Sequence, residues 1–177
     1  FAVTKSGAWY KGTEPNNEYV PWLYKIASKI GGSGWEAFDA LTFDQDGIMY
    51  GIYEGALRRN PALSTTDGRW LQQSINVGKS GWNKFSKFLG FSSDGKLWCV
   101  NRDDGTMYSG DPPTDKNFPW VERAKNMGTG YHMYKSIAFT EDKTIMKICS
   151  FDFLTDLGKV LSMEPEFVTE QVYDNKD

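Results

Sequence analysis

A motif that recurs at nearly constant spacing restricts the folds open to this chain. It begins with glycine and an aromatic residue, continues through an apolar stretch, and in its best copies reaches an Asp-Gly pair. The opening aromatics stand at positions 35, 82 and 131, so successive copies lie 47 and 49 residues apart. A fixed period of this length is typical of repeat architectures, whose units bury their apolar faces against one another. The third copy, from residue 130, is degenerate.

Two further features follow the same period. Trp22, Trp70 and Trp120 form a second aromatic series, which Phe167 continues. A short apolar segment that ends in a proline turn occurs four times, at residues 9–15, 57–61, 107–113 and 160–165. The chain therefore carries parts of four repeats. We expect one domain over residues 1–177, with repeats at about 1–33 (partial), 34–80, 81–129 and 130–177 (degenerate).

Each repeat is predicted to contain four antiparallel strands. The first, as in residues 38–43, is almost continuously apolar, and we expect it to be the most buried strand. An Asp-Gly turn leads to the second strand, because glycine tolerates the positive φ of tight hairpins. The third strand ends at the proline turn, and the fourth is predicted around residues 120–125. This pattern indicates an all-β fold, a β-propeller of four-stranded blades with about four repeats.

The chain ends bear on how such a ring would close. Residues 1–3 align with a second strand, so the first repeat lacks its first strand, and residues 167–173 align with a fourth strand. Four alternatives follow: the tail is diverted, the chain has a gap, further sequence has been lost, or a neighbouring chain in an oligomer completes the ring. Because the chain opens with Phe1 rather than Met, we expect a mature, processed or truncated chain.

Composition excludes some classes of partner. The formal net charge of −3 argues against a nucleic-acid partner, and no apolar run approaches the roughly 20 residues that span a membrane. The 15% aromatic content fits either sheet packing or a binding surface with flat apolar faces. Cys99 and Cys149 are interpreted as two buried free thiols or as a single disulfide, so the cysteines do not fix the compartment.

The order of these marks resembles one family. The repeat of this chain is similar to that of the tachylectin-type β-propeller lectins. Its marks are, in order, Gly-Trp, an apolar strand, an Asp-Gly turn, a short strand with a proline turn, and then Trp. Residues 81–125 give the clearest copy, and residues 34–75 a good one. The resemblance implies a non-enzymatic lectin that binds N-acetylated amino sugars at blade interfaces in innate recognition. We then expect a secreted or extracellular protein whose partners are glycans that carry N-acetylhexosamine.

The Gly-aromatic turns are the candidate ligand-binding positions. A flat aromatic beside exposed backbone N–H groups suits an acetamido sugar, which needs stacking and a few polar contacts. The alternative is that these aromatics wedge neighbouring blades together, and the Trp22 series is expected to belong to the core. The candidate ligand-binding residues are Gly34, Trp35, Gly81, Trp82 and Tyr131.

The sequence shows no recognisable set of catalytic or metal-binding residues. The Asp44-x-Asp46-Gly47 segment is similar to the start of a calcium loop but lacks the remaining ligands, so a hairpin turn is predicted there. Asp103-Asp104-Gly105 is interpreted in the same way. His132 is the only histidine, which excludes a site with two histidine ligands, and we expect it in a solvated loop. We expect no cofactor and no metal, and a glycan-processing enzyme is the least favoured hypothesis.

A second hypothesis of a different class remains open. The related lectins tend to carry Asp-Asn before the Trp of the second series. This chain has Val20-Pro21, Gly68-Arg69 and Phe118-Pro119 at those places. The alternative is therefore a propeller that serves as a protein-interaction or structural module and has lost sugar binding.

Overall fold

The computed structural model describes residues 1–13, 21–63, 69–139, 145–149 and 168–170. The chain divides into two compact units, the first formed by Phe1–Asn83 with Thr114–Phe118 and the second by Lys84–Pro113 with Pro119–Asp177. The described residues form an all-β protein with four antiparallel sheets of three or four strands. This arrangement is consistent with a propeller-like fold.

The first unit contains two of the sheets. In sheet 1 the strand order is β1-β2-β3, and in sheet 2 it is β4-β5-β6-β7. Two one-turn helices, α1 and α2, precede the last strand of each sheet. The elements are β1 (Ala2–Val3), β2 (Trp9–Lys11), α1 (Trp22–Lys25), β3 (Ser28–Gly31), β4 (Ala40–Phe43), β5 (Ile48–Tyr53), β6 (Ala56–Pro61), α2 (Trp70–Gln73) and β7 (Ile75–Gly78).

The second unit contains the other two sheets. Sheet 3 has the order β11-β10-β9-β8, and sheet 4 has the order β12-β13-β14. The elements are β8 (Phe88–Phe91), β9 (Leu97–Val100), β10 (Met107–Gly110), α3 (Trp120–Arg123), β11 (Lys125–Asn126), β12 (Tyr134–Phe139), β13 (Ile145–Cys149) and β14 (Val168–Glu170).

The Asp-Gly turns were correctly predicted as hairpins. β4 pairs with β5 in antiparallel register, and the connecting turn places Gly47 at a φ of 75°. The Asp44 carboxylate accepts hydrogen bonds from the backbone N–H groups of Asp46 at 3.0 Å and Ile48 at 2.8 Å. Asp44 therefore closes the turn through its own side chain, as aspartate does in Asx turns.

The prediction that the first strand is the most buried was wrong. Every residue of β4 is half-buried, whereas the four central residues of β5 are fully buried. The strand order gives the physical reason. β4 is the edge strand of sheet 2 and has one neighbour, while β5 lies between β4 and β6. Position in the sheet therefore outweighs the apolar sequence of β4.

The predicted fourth strand at residues 120–125 was also wrong in its bounds. Trp120–Arg123 forms the helix α3, and the strand that follows it is only Lys125–Asn126. The equivalent segments of the first two sheets are the helices α1 and α2. A single helical turn is too short to show the helical period in the sequence, which explains why a strand was predicted.

Two predictions concern the chain ends. β1 pairs with β2 and holds the place in sheet 1 that β5 holds in sheet 2, as the alignment of residues 1–3 predicts. The tail does not hold the predicted fourth place, because β14 pairs directly with β13. The predicted third strand at residues 160–165 lies outside the described residues, as does the rest of the 167–173 segment.

The core of the first unit is a cluster of aromatic rings and aliphatic side chains. Trp9 and Trp35 lie with ring centroids 4.4 Å apart, and Trp35 stacks on Phe38 at 5.3 Å with an interplanar angle of 17°. Trp70 meets Phe38 edge-on at 5.7 Å. The buried members of this cluster are Trp9, Ile30, Trp35, Met49, Leu63 and Trp70.

Candidate functional site

The Gly-Trp motif forms a tight turn that precedes the first strand of its sheet. Gly34 has a φ of 106°, which favours glycine, and Trp35–Ala37 follows as one turn of 3-10 helix. The backbone N–H of Trp35 donates a hydrogen bond to the carbonyl of Gly7, at 3.3 Å. The motif therefore ties its turn to the β1–β2 turn, where glycine is also at a positive φ of 74°.

The same backbone bond occurs at the other two copies of the motif. The N–H of Trp82 donates to the carbonyl of Gly55 at 2.9 Å, and the N–H of Tyr131 donates to the carbonyl of Gly105 at 3.0 Å. Gly55 and Gly105 have φ values of 72° and 70°, close to that of Gly7. Three glycine turns are thus bound in the same way by the three Gly-aromatic motifs.

A cleft of about 240 Å³ opens beside the first of these turns. Ser33, Gly34 and Ala37 are exposed at this cleft, whereas the rings of Phe38 and Tyr53 are half-buried. Aromatic faces next to an exposed backbone turn are what a small ligand with one apolar face requires. The lining residues are Ser33, Gly34, Trp35, Ala37, Phe38, Tyr53 and Leu71.

Trp35 forms part of the cleft wall but is mainly a packing residue. Its side chain is 7% exposed, and it contacts the rings of Trp9, Phe38 and Trp70. A β-carbon at Gly31 would collide with the indole Nε1 of Trp35, so that glycine leaves room for the ring. Phe38 and Tyr53 consequently offer the more accessible aromatic surface of this cleft.

The remaining candidate residues lie at the other two turns. Trp82 is also 7% exposed and packs closely on Gly78, while Gly81 before it is exposed with a φ of 99°. Tyr131 is half-buried, and its ring lies 6.1 Å from that of Tyr134. Only Gly34 and Trp35, among the five sequence candidates, line the described cleft.

The Trp22 series has a shared structural role. Each indole N–H donates to the main-chain carbonyl of the residue nine positions earlier. The bonds run from Trp22 to Thr13 at 2.7 Å, from Trp70 to Pro61 at 3.0 Å and from Trp120 to Asp111 at 2.7 Å. Trp70 and Trp120 are buried, as predicted for core residues, whereas Trp22 is half-buried.

Other chemically active groups serve the fold. The Asp104 carboxylate accepts the backbone N–H of Thr106 at 2.8 Å, and the bonds with Thr106 lower the pKa of Asp104. Burial raises the pKa of the Cys99 thiol well above its ordinary value, and Cys99 is free. His132 is exposed, though it lies over Gly105 within the turn Tyr131–Met133. In the described part of the chain no three His, Cys, Asp or Glu residues gather as a metal site.

Sequence reasoning missed five of the seven residues that line the cleft, namely Ser33, Ala37, Phe38, Tyr53 and Leu71. Phe38 was predicted in the first strand of its repeat, and no ligand-binding role was predicted for the other four. The sequence did contain a signal for Phe38, because an aromatic residue follows the motif at a short interval in both good copies. In the structure Phe38 stacks on Trp35. Tyr53 carries no such signal, because its partner Phe38 meets it only in the folded sheet.

These features define an all-β protein with four antiparallel sheets, three of which follow a glycine-aromatic turn. The chain belongs to the Tachylectin family, whose family model matches residues 1–136. Membership of this family points to carbohydrate binding. No curated protein matches the chain. No helix among the described residues has the length and apolar character needed to cross a membrane.

A solved structure also resembles the chain. It is described by the words "The de novo evolutionary emergence of a symmetrical protein is shaped by folding constraints". The two share 24% sequence identity over 83% of this chain and 81% of the other, with a TM-score of 0.43.

Proposed function

We propose that this chain is a non-enzymatic lectin that binds N-acetylated amino sugars in the cleft beside Trp35. The observation that supports this is the composition of the cleft wall. The half-buried rings of Phe38 and Tyr53 can stack on the apolar face of a sugar, and the hydroxyl of the exposed Ser33 can bind an acetamide. The volume of about 240 Å³ lies below the roughly 300–1,000 Å³ of drug-sized pockets and suits a single sugar unit.

The wider reading of the family forms part of the same proposal. The four sheets are the blades of one propeller domain, and related sites lie at the turns that carry Gly81-Trp82 and Tyr131. We further propose a secreted or extracellular protein that recognises glycans in innate defence, with a second copy able to complete the ring. The molecular mass in solution, measured by light scattering, tests the last point.

Binding to immobilised N-acetylglucosamine and N-acetylgalactosamine tests the sugar specificity. The chain is expected to be retained on these immobilised sugars. Free N-acetylglucosamine should release it, whereas glucose should not. Replacing Ala37 by tryptophan would fill the cleft from an exposed position and is expected to abolish binding without loss of stability. The matched control is Gln72→Trp, which adds the same ring at an exposed position of α2 that does not line the cleft.

Failure of the well-folded chain to bind any amino sugar would favour the protein-interaction or structural module instead. Equal binding of the sugar by Ala37→Trp and Gln72→Trp would instead keep the lectin function and overturn the cleft beside Trp35 as its site.

A further inference from the structure

One position in sheet 2 departs from its counterparts in the other sheets. Tyr10 pairs with Lys29 in sheet 1, Arg58 pairs with Asn76 in sheet 2, and Tyr108 pairs with Asn126 in sheet 3. These pairs occupy equivalent registers, because in each sheet a glycine follows two residues after the partner on the outer strand. Arg58 therefore stands where two other sheets have tyrosine, and all three side chains are half-buried.

Arg58 is connected to two residues of the cleft wall, although it does not line the cleft itself. Arg58 pairs with Gly51 across the sheet, so the two residues share a face. The Phe38 ring lies over Gly51 on that face, because a β-carbon there would come within 2.8 Å of the ring. Arg58 Nη1 also donates to the Ser74 hydroxyl at 3.4 Å, and that hydroxyl donates to the Leu71 carbonyl at 2.7 Å. Phe38 and Leu71 both line the cleft.

The guanidinium of Arg58 has a donor for which the described residues provide no acceptor. Its Nε is buried and forms no hydrogen bond with any of them. Within the residues that the structure describes, no carboxylate forms an ion pair with it. The neighbouring Arg59 points to the opposite face and donates to the Tyr50 hydroxyl at 3.5 Å. A bound anion would stabilise a half-buried cation of this kind, since charge-assisted hydrogen bonds are about twice as strong as neutral ones.

We propose that the cleft beside Trp35 prefers sugars that carry an anionic substituent, a carboxylate or a sulfate, and that Arg58 is the residue that determines this preference. The inference rests on the proposed lectin function and names the ligand class of the same site. The sugar stacks on Phe38 and Tyr53, and its anionic group extends past these rings to the guanidinium of Arg58, which does not itself line the cleft. Tyrosine at the equivalent positions can provide a hydroxyl but no positive charge, so the preference is specific to the cleft of sheet 2.

Calorimetric titration of the full chain tests this proposal with three probes. They are N-acetylglucosamine, N-acetylglucosamine 6-sulfate and the methyl α-glycoside of N-acetylneuraminic acid, and the last two separate a sulfate from a carboxylate. The expected result is at least about tenfold tighter binding of one anionic probe than of the neutral sugar, the contribution of one charge-assisted hydrogen bond. This preference should decrease as sodium chloride is added.

Variants at position 58 connect the preference to the guanidinium. Arg58→Tyr introduces the residue of the other two sheets, and Arg58→Gln removes the charge with a smaller change of shape. Both are expected to lose the anionic preference while they keep neutral binding. Arg59→Gln, one residue along on the opposite face, is expected to keep it. Circular dichroism and melting temperature identify variants that fold, and Arg58→Gln answers the question if Arg58→Tyr does not.

The outcomes distinguish this proposal from the one on which it rests. Neutral binding without anionic preference, or a preference that survives in Arg58→Gln, overturns the role of Arg58 and leaves the lectin function intact. An Arg58-dependent preference that glucose 6-sulfate shows equally well keeps the anionic site and overturns the requirement for an N-acetyl group. Absence of binding for all probes overturns both proposals.

Discussion

The indole Nε1 of Trp120 donates a hydrogen bond to the main-chain carbonyl of Asp111 at 2.7 Å, from a ring that is 3% exposed. The same bond joins Trp70 to Pro61, and Trp22 to Thr13. In each case a tryptophan on a one-turn helix binds the chain at or just after the end of the strand that precedes the helix. The bond is therefore a repeated structural device whose contribution depends on how much water reaches it.

Replacing these tryptophans by phenylalanine should reveal that dependence. We expect Trp70→Phe and Trp120→Phe to lower the free energy of unfolding by about 1–3 kcal/mol, because a part-buried carbonyl loses its donor. Trp22→Phe should cost less, since the carbonyl of Thr13 is exposed and water can replace the indole. Urea unfolding followed by far-ultraviolet circular dichroism measures all three. Equal losses at the three positions would contradict this account.

The period of the sequence predicted this arrangement only in part. The spacing of Trp22, Trp70 and Trp120 correctly indicated equivalent positions, and burial confirmed a core role for two of them. The spacing of the tryptophans gave no sign that each of them begins a helix, because four residues are too few to show a helical pattern. The carbonyl that each indole contacts was equally invisible, since its place depends on the path of the preceding loop.

The candidate site, too, was predicted only in part from the sequence. The Gly-aromatic motif located one wall of the cleft, at Gly34 and Trp35. Tyr53 and Leu71 also line the cleft, and the fold brings them to the motif from later in the chain. Arg58 differs from the tyrosines at the equivalent positions of two other sheets. This difference is recognised only when the strand register aligns Arg58 with Tyr10 and Tyr108.

Glycine at position 78 is required by the ring that packs on it. A β-carbon there would collide with the indole Nε1 of Trp82, which is 7% exposed. We expect Gly78→Ala to lower the free energy of unfolding by about 1–3 kcal/mol, the usual cost of overpacking. Thermal unfolding measures the loss.

Gly32→Ala is the matched control for this prediction. An added β-carbon at Gly32 meets no atom within 4 Å, and its φ is not positive. That variant should be neutral or more stable by up to about 1 kcal/mol, because alanine restricts the unfolded chain. A destabilised Gly32→Ala together with a neutral Gly78→Ala would show that ring packing does not set the requirement.

The turn between β5 and β6 contains a residue in an unfavourable backbone conformation. Glu54 has a φ of 49° and Gly55 a φ of 72°, as in hairpin turns that favour Asn-Gly. We expect Glu54→Asn to raise the free energy of unfolding by about 0.5–1 kcal/mol, part of the roughly 1–2 kcal/mol that L residues lose in this conformation. Glu54→Gln removes the same charge without easing the backbone and should leave stability unchanged. Equal stabilisation by both substitutions would assign the effect to charge.

Cys99 provides a prediction on alkaline stability. Burial raises the pKa of its thiol above the ordinary value of 9.0, and the charge of Lys84 opposes this shift. The folded protein therefore keeps a proton that the unfolded chain releases above pH 9.0. The thiol contributes its full stabilisation below that pH, and the contribution is lost as the pH rises toward the higher folded pKa.

Comparison of Cys99→Ala with the parent, both in a Cys149→Ser background, isolates this effect. The parent should lose up to about 1.4 kcal/mol more per pH unit above pH 9.0 than Cys99→Ala, because only the parent carries the buried thiol. Urea unfolding at pH 7, 9 and 10 measures the difference. In the native parent at pH 8 the thiol should also react with Ellman's reagent far more slowly than in urea. Parallel pH profiles for the two proteins would contradict the role of burial, because the thiol would then lose its proton at the same pH in the folded and the unfolded chain.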